Sequence, residues 1–259
     1  MVAVTVGSAG ILPRVTGPGA DRTQTLTLLH VREISAYNDW IFAHLAPWIR
    51  GTVLEVGCGI GTYSARLRPR CRSLLCLDLR PAYAAAVRRR LGHHPEVEVL
   101  VGAVGSSFEL RPGSLDAIVC LNVLEHIEDD EGAVRAFRRW LRPGGTLAVQ
   151  VPAHPWLYGS MDRALGHHRR YTRRGLDALL GSGGFRLLRP ARPLYALGIP
   201  GWWWFGRVTR SRHVPASSVQ AANLLARLSR AVESVIPSPV GLTLVAVGLN
   251  PGGRDPAAR

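Results

Sequence analysis

Between Val53 and Ser64 the chain reads VLEVGCGIGTYS, a run of β-formers that gives way to glycines at alternate positions, Gly57, Gly59 and Gly61. Val53, Leu54 and Val56 predict a short buried strand, and the glycines predict a tight turn into a helix. Glycine in such a turn permits positive φ and lets a ligand lie directly against the backbone. Glu55 places a carboxylate two residues before the first glycine. A buried strand running straight into a helix belongs to an alternating α/β architecture, so this segment constrains the fold more than any other. A dinucleotide-binding turn needs its third glycine three residues after the second; Thr62 stands there, so the dehydrogenase fingerprint is excluded.

Further strands are expected at regular intervals. Ser73–Leu79, SLLCLDL, is a short apolar run carrying Asp78, 23 residues after Glu55. A carboxylate at a strand tip can accept both hydroxyls of a ribose; a turn or N-cap aspartate is the alternative. Val97–Val101 is a third strand, and Asp116 opens a fourth that ends at Asn122, at the carboxyl end where open α/β sheets bind ligands. A helix with Ala133, Val134, Phe137, Trp140 and Leu141 on one face follows, stopped by Pro143, Gly144 and Gly145. Thr146–Val151, Phe185–Leu188 and Leu242–Leu249 complete the strands.

The acidic residue followed by Gly-x-Gly-x-Gly resembles the first motif of the class I S-adenosylmethionine (SAM)-dependent methyltransferases. The segment SLDAIVCLNVLEHIEDD, Ser114 to Asp130, is similar to the core of the methyltransferase type 11 group, the broad set that includes ubiquinone and menaquinone biosynthesis methyltransferases. The resemblance implies a Rossmann-like, doubly wound seven-stranded α/β sheet with an antiparallel last strand and a helical insertion before that strand. It implies SAM as cofactor, held by Glu55, Gly57, Gly59, Gly61, Asp78 and Asn122, with His126 beside the pocket. Ala103 departs from the family pattern, in which a polar residue near that position reaches the adenine. Glu125 and His126 are adjacent and would diverge on a helix, so no metal site is expected from them.

Val151 to Tyr171, VPAHPWLYGSMDRALGHHRRY, follows the fifth strand, where such enzymes bind the acceptor. His167 and His168 are candidate general bases because imidazole titrates near neutrality. Asp162 is their candidate orienting partner, and His154, Tyr158 and Tyr171 are candidate acceptor contacts. The alternative is a loop ordered by Asp162 pairing with Arg169 or Arg170. Thr172 is expected to cap the next helix.

Composition bears on partners. All 32 basic side chains are arginine, 17 of them before residue 151 against 14 acids and 15 after it against 4 acids. The excess in the second half suggests an anionic acceptor or an acidic surface, or else a solvated arginine-rich face. Nucleic acid is not expected, because Leu121–Leu124 lacks the Asn/Asp-Pro-Pro-aromatic text of base methyltransferases. Residues 1–20 and 251–259 are expected to be tails, around a single domain of 21–250 whose leading amphipathic helix carries Trp40, Ile41, Leu45 and Trp48. Segment 193–240 is expected to be the insertion, with Trp202, Trp203 and Trp204 as an acceptor lid, a peripheral membrane anchor or a dimer contact. Four cysteines without paired spacing suggest reduced thiols in a cytoplasmic protein. The expected function is methyl transfer from SAM to oxygen or nitrogen of a small metabolite, with secondary metabolism as a setting by analogy. Methylation of a sugar or lipid-linked glycan and a noncatalytic SAM-binding scaffold are the alternatives.

Overall fold

A computed structural model describes residues 4–6, 18–105 and 108–252. The strands are β1 (Val4–Val6), β2 (Gly51–Val56), β3 (Cys71–Asp78), β4 (Val97–Val101), β5 (Phe108–Leu110), β6 (Leu115–Leu121), β7 (Leu141–Pro152), β8 (Arg186–Leu194) and β9 (Thr243–Leu249). Seven of them form one sheet in the order β4-β3-β2-β6-β7-β9-β8. The first five are parallel, β9 is antiparallel to β7, and β8 is antiparallel to β9. Strand order reverses between β2 and β6, so their carboxyl ends open the crevice in which such sheets bind ligands.

Alternation along the strands explains why both sheet faces are covered. On β2, Val53 faces the layer built on Trp40, Ile41 and Leu45, whereas Leu54 and Val56 face the layer containing Phe137, Trp140 and Leu176. β3 and β6 divide in the same way, Leu74 and Ala117 to one layer and Leu75 and Ile118 to the other. Near-continuous apolar runs are what a parallel sheet buried on both faces requires. Helix Asp130–Trp140 buries Ala133, Val134, Phe137 and Trp140. Asp129 caps it by accepting from the Gly132 amide at 2.8 Å, and the acidic first turn and arginine-rich last turn suit the helix dipole.

Three features differ from the sequence expectation. The leading segment is two helices, Pro18–Glu33 and Ser35–Leu45. The expected N-terminal tail contains β1, which pairs antiparallel with β5 in a separate two-stranded sheet; the tail's residues 1–3 and 7–17, and residues 253–259 at the other end, lie outside the described residues. β8 runs on to Leu194, because its pairing with β9 continues through two register shifts at Pro- and Arg-rich positions. The insertion between β8 and β9 holds helix Ile199–Trp203, a π-helical turn Trp204–Val208 and helix Val219–Val235. Among the described residues no helix is long and apolar enough to cross a membrane.

Candidate active site

The crevice is a cavity of about 1120 Å³ that runs from the tips of β2, β3 and β4 to the insertion. At its first end the glycine turn adopts the conformation expected of it, with Gly57 at φ +68°. A Cβ there would stand 2.4 Å from the Val123 side chain, so only glycine fits. The Asp78 carboxylate accepts from the Gly59 amide at 2.8 Å through one oxygen and from the Arg80 amide at 2.8 Å through the other. It therefore ties the glycine turn to the tip of β3, and each oxygen keeps a lone pair for a ligand. Glu55, 4% exposed, accepts from the Ser64 hydroxyl. Burial pushes its carboxyl up to about 8, against the lowering effect of that hydrogen bond. Gly102, Ala103 and Val104 wall this end at the exit of β4. Asn122 lines the cavity at φ +53°, its amide donating to the Gln150 carbonyl at 2.9 Å. Gly61 does not line the cavity; a Cβ there would meet Val87 at 3.3 Å, so it serves the packing of the turn against helix Pro81–Leu91.

At the other end, Leu124–His126 is a single 3₁₀ turn rather than α-helix. The expected divergence of Glu125 and His126 therefore does not occur: one ligand atom of each, and one of His167, lie within 4.8 Å of one another. Glu125 is fully buried, and neither carboxylate oxygen has a well-formed hydrogen bond. Burial pushes its carboxyl up to about 7, opposed by the nearby His167 and by its own main-chain amide. Burial and the neighbouring His167 push His126 down to about 3; the two rings meet edge to face at 4.7 Å.

His167 is placed by a buried polar group that the sequence only hinted at. Its Nδ1 lies 2.9 Å from Asp162 Oδ1, and Arg170 Nε donates to that same oxygen at 2.7 Å. Burial opposes ionisation of Asp162, yet the hydrogen bond from His167 and the charge of Arg170 hold its carboxyl below the usual range. Arg170 also donates to the Ala153 carbonyl at 3.0 Å and lies 4.8 Å from the centre of the Trp202 ring, whose own N–H is buried without a partner. The two contacts weighed as alternatives, Asp162 with a histidine and Asp162 with an arginine, thus occur together in one cluster.

Other expected contacts stand elsewhere. His168 is exposed at the cavity rim, its amide donating to the Glu125 carbonyl at 2.7 Å. The Tyr158 hydroxyl donates to the His167 carbonyl at 2.7 Å, the Tyr171 hydroxyl donates to Asp130 at 2.7 Å, and His154 stacks on Trp156 at 5.5 Å. None of these three lines the main cavity. Lining residues that the sequence did not single out include Tyr37 and Tyr195, and Arg170, expected only as a partner of Asp162, lines the cavity too; aromatic side chains far apart in sequence carry no local signal.

Residues 54–149 match the type 11 methyltransferase family, described as a methyltransferase domain. The ubiquinone biosynthesis O-methyltransferase of Xanthomonas campestris pv. campestris (strain B100) is 35% identical over 115 residues, 44% of this chain and 47% of that protein. The match thus spans about half the length of this curated relative. Among solved structures, the S-adenosylmethionine-dependent methyltransferase from Mesorhizobium loti superposes with TM-score 0.58 at 17% identity, covering 83% of this chain and 97% of that one. The N-methyltransferase NodS from Bradyrhizobium japonicum WM9, in complex with S-adenosyl-L-homocysteine, gives 0.53 at 16% identity, covering 88% and 100%. At such identities the structures speak for the fold. Residues 54–149 thus match a methyltransferase domain of the type 11 family, within a Rossmann-like fold shared with solved SAM-dependent methyltransferases.

Proposed function

We propose that the protein transfers a methyl group from SAM to a hydroxyl oxygen of a small, largely apolar acceptor. The observation that carries this reading is one continuous cavity, with the glycine and carboxylate cradle at one end and Glu125, His126 and His167 at the other. The cradle fits an adenosine with a cationic tail: Asp78 keeps lone pairs for ribose hydroxyls, Ala103 and Val104 offer an apolar slot, and Glu55 supplies a carboxylate. When bound, SAM supplies an electrophilic sulfonium methyl, whose transfer breaks the carbon–sulfur bond toward sulfur, forms a carbon–oxygen bond and releases the hydroxyl proton. Positioning for in-line displacement is worth about 7–11 kcal/mol. Trp202, Phe205, Met161 and Leu165 wall the acceptor, Leu28 and Val31 of the leading helix cover the cavity against water, and the proton is lost on the side of His167.

The arginine excess does not gather here. Arg170 is engaged by Asp162 and Ala153, while Glu55, Asp78, Glu125 and Glu128 line the same space. An uncharged hydroxyl compound is favoured over an anionic one, and the O-methyltransferase activity for which the Xanthomonas relative is named supports oxygen over nitrogen.

Calorimetry with SAM tests the cradle: binding is expected, and Asp78→Ala should weaken it strongly, whereas unchanged affinity in that variant would remove the assignment. Transfer of labelled methyl from SAM to a panel of phenols and alcohols tests the reaction. SAM binding without transfer to any of them would favour the noncatalytic scaffold.

A second reading concerns where the acceptor comes from. Leu224, Leu228, Val232 and Val235 form an exposed apolar stripe on helix Val219–Val235, and Trp203 and Trp204 of the same insertion are exposed as well. Such a surface suits shallow contact with lipid headgroups, and it would deliver a lipid-linked acceptor. Flotation with anionic liposomes is the test; failure to co-migrate removes this reading.

A further inference from the structure

The cluster of Glu125, His126 and His167 brings a buried carboxyl and two imidazoles to one point of the cavity. Asp162, as a carboxylate, can only accept, so the His167 Nδ1 that faces it at 2.9 Å carries the proton and Nε2 carries the lone pair. The His126 ring meets the His167 ring edge to face at 4.7 Å, and one of its nitrogens falls in the same cluster. Glu125 adds a carboxylate whose two oxygens are both buried and without well-formed partners. Buried polar groups are almost always satisfied, so a buried carboxyl without a partner beside two imidazoles calls for a ligand. A metal cation satisfies all three groups together.

We infer that Glu125, His126 and His167 form a binding site for a divalent first-row transition-metal ion such as Zn²⁺, Mn²⁺ or Co²⁺, with open coordination positions facing the acceptor end of the cavity. Two imidazoles and a carboxylate are a donor set that zinc enzymes use with a fourth position free, and it suits other first-row divalent ions better than Ca²⁺ or Mg²⁺. Asp162 is the outer partner that holds the His167 ring by Nδ1, 2.9 Å away. The ligand atoms, within 4.8 Å of one another, need only a modest closing to reach a common ion at about 2.0–2.2 Å. Resting on the function proposed above, an acceptor hydroxyl at an open position would coordinate the ion and release its proton to solvent more readily, as metal-bound water does.

The test needs no acceptor. Protein prepared without a histidine tag and stripped of metal is titrated with Co²⁺, followed by calorimetry and visible absorption, with SAM affinity measured separately. One equivalent of Co²⁺ is expected to bind and to show ligand-field bands. Glu125→Gln should weaken it by roughly 100-fold, the upper end of what losing even an outer-shell partner costs, while His168→Ala leaves it unchanged. No stoichiometric Co²⁺ binding by the wild type, or equal affinity in Glu125→Gln and His167→Gln, would overturn the site. If a variant loses SAM binding as well, anomalous diffraction from wild-type crystals with Co²⁺ decides: a peak between Glu125 and the two imidazoles supports the inference, and a peak elsewhere or none overturns it. Co²⁺ binding without SAM binding would instead count against the proposed cofactor.

Discussion

Glu55 should make SAM binding pH-dependent. Its carboxyl is 4% exposed and lies near about 8 in the ligand-free protein, raised chiefly by burial. At pH 7 it is therefore neutral in roughly nine molecules of ten. A cationic ligand beside it favours the ionised form, so binding must expel the proton. Affinity then rises about tenfold per pH unit, or 1.36 kcal/mol, from pH 6 to 8, and levels off above 8. The titratable groups beside Glu55 are Cys58, Tyr63, Cys71, Cys76 and Asp78. Burial raises all three thiols and Tyr63, so they stay neutral across this range. The assay is calorimetry at pH 6, 7, 8 and 9 in buffers of different ionisation heat, which counts the proton released. Glu55→Gln fixes the neutral form and should abolish the slope, leaving only the titration of the ligand's own amine, common to both proteins. A wild-type slope no steeper than that of Glu55→Gln would refute the reasoning.

The same shift has a consequence for the ligand-free protein. Because Glu55 is raised from 4.5 to about 8 on folding, its contribution to stability is fully present below pH 4.5 and is lost as pH rises to 8, at about 1.4 kcal/mol per unit. Urea denaturation across that range, wild type against Glu55→Gln, should diverge accordingly. Gly57→Ala forces an alanine to φ +68° with its Cβ against Val123, so a loss of at least about 1–2 kcal/mol in denaturation and of SAM binding is expected. Asp162→Asn leaves Arg170, 5% exposed, without its charge partner and should cost about 3–5 kcal/mol of folding stability by the same measurement. Trp202→Ala should raise the KM for the acceptor while calorimetry shows SAM affinity unchanged, since Trp202 stands at the far end of the cavity from Glu55.

What could be read from the sequence was what depends on neighbours in the chain. Gly57 and Asp78 were legible because a positive φ and a strand-tip carboxylate are local demands, and alternation along Val53 to Val56 set which residues face which layer. The acceptor end was not legible, because its geometry depends on departures from regular helix. Asn122 takes φ +53° at the end of β6, and the next residues enter a 3₁₀ turn, which carries Glu125 and His126 into the same cavity. The run from His154 to Tyr171 misled for a different reason. Its polar and aromatic side chains suggested direct contact with an acceptor, yet Tyr158 holds the His167 carbonyl, Tyr171 holds Asp130, and Asp162 with Arg170 fixes the His167 ring. Asp162 is itself held by the Gly159 amide at 2.9 Å, so a chain of buried hydrogen bonds ends at one imidazole. Tyr158, Asp162 and Arg170 of that run thus converge on a single histidine. Substitutions along it should therefore act on the reaction through the orientation of His167, and loss of Tyr158 should resemble a weak His167 variant rather than the loss of an acceptor contact.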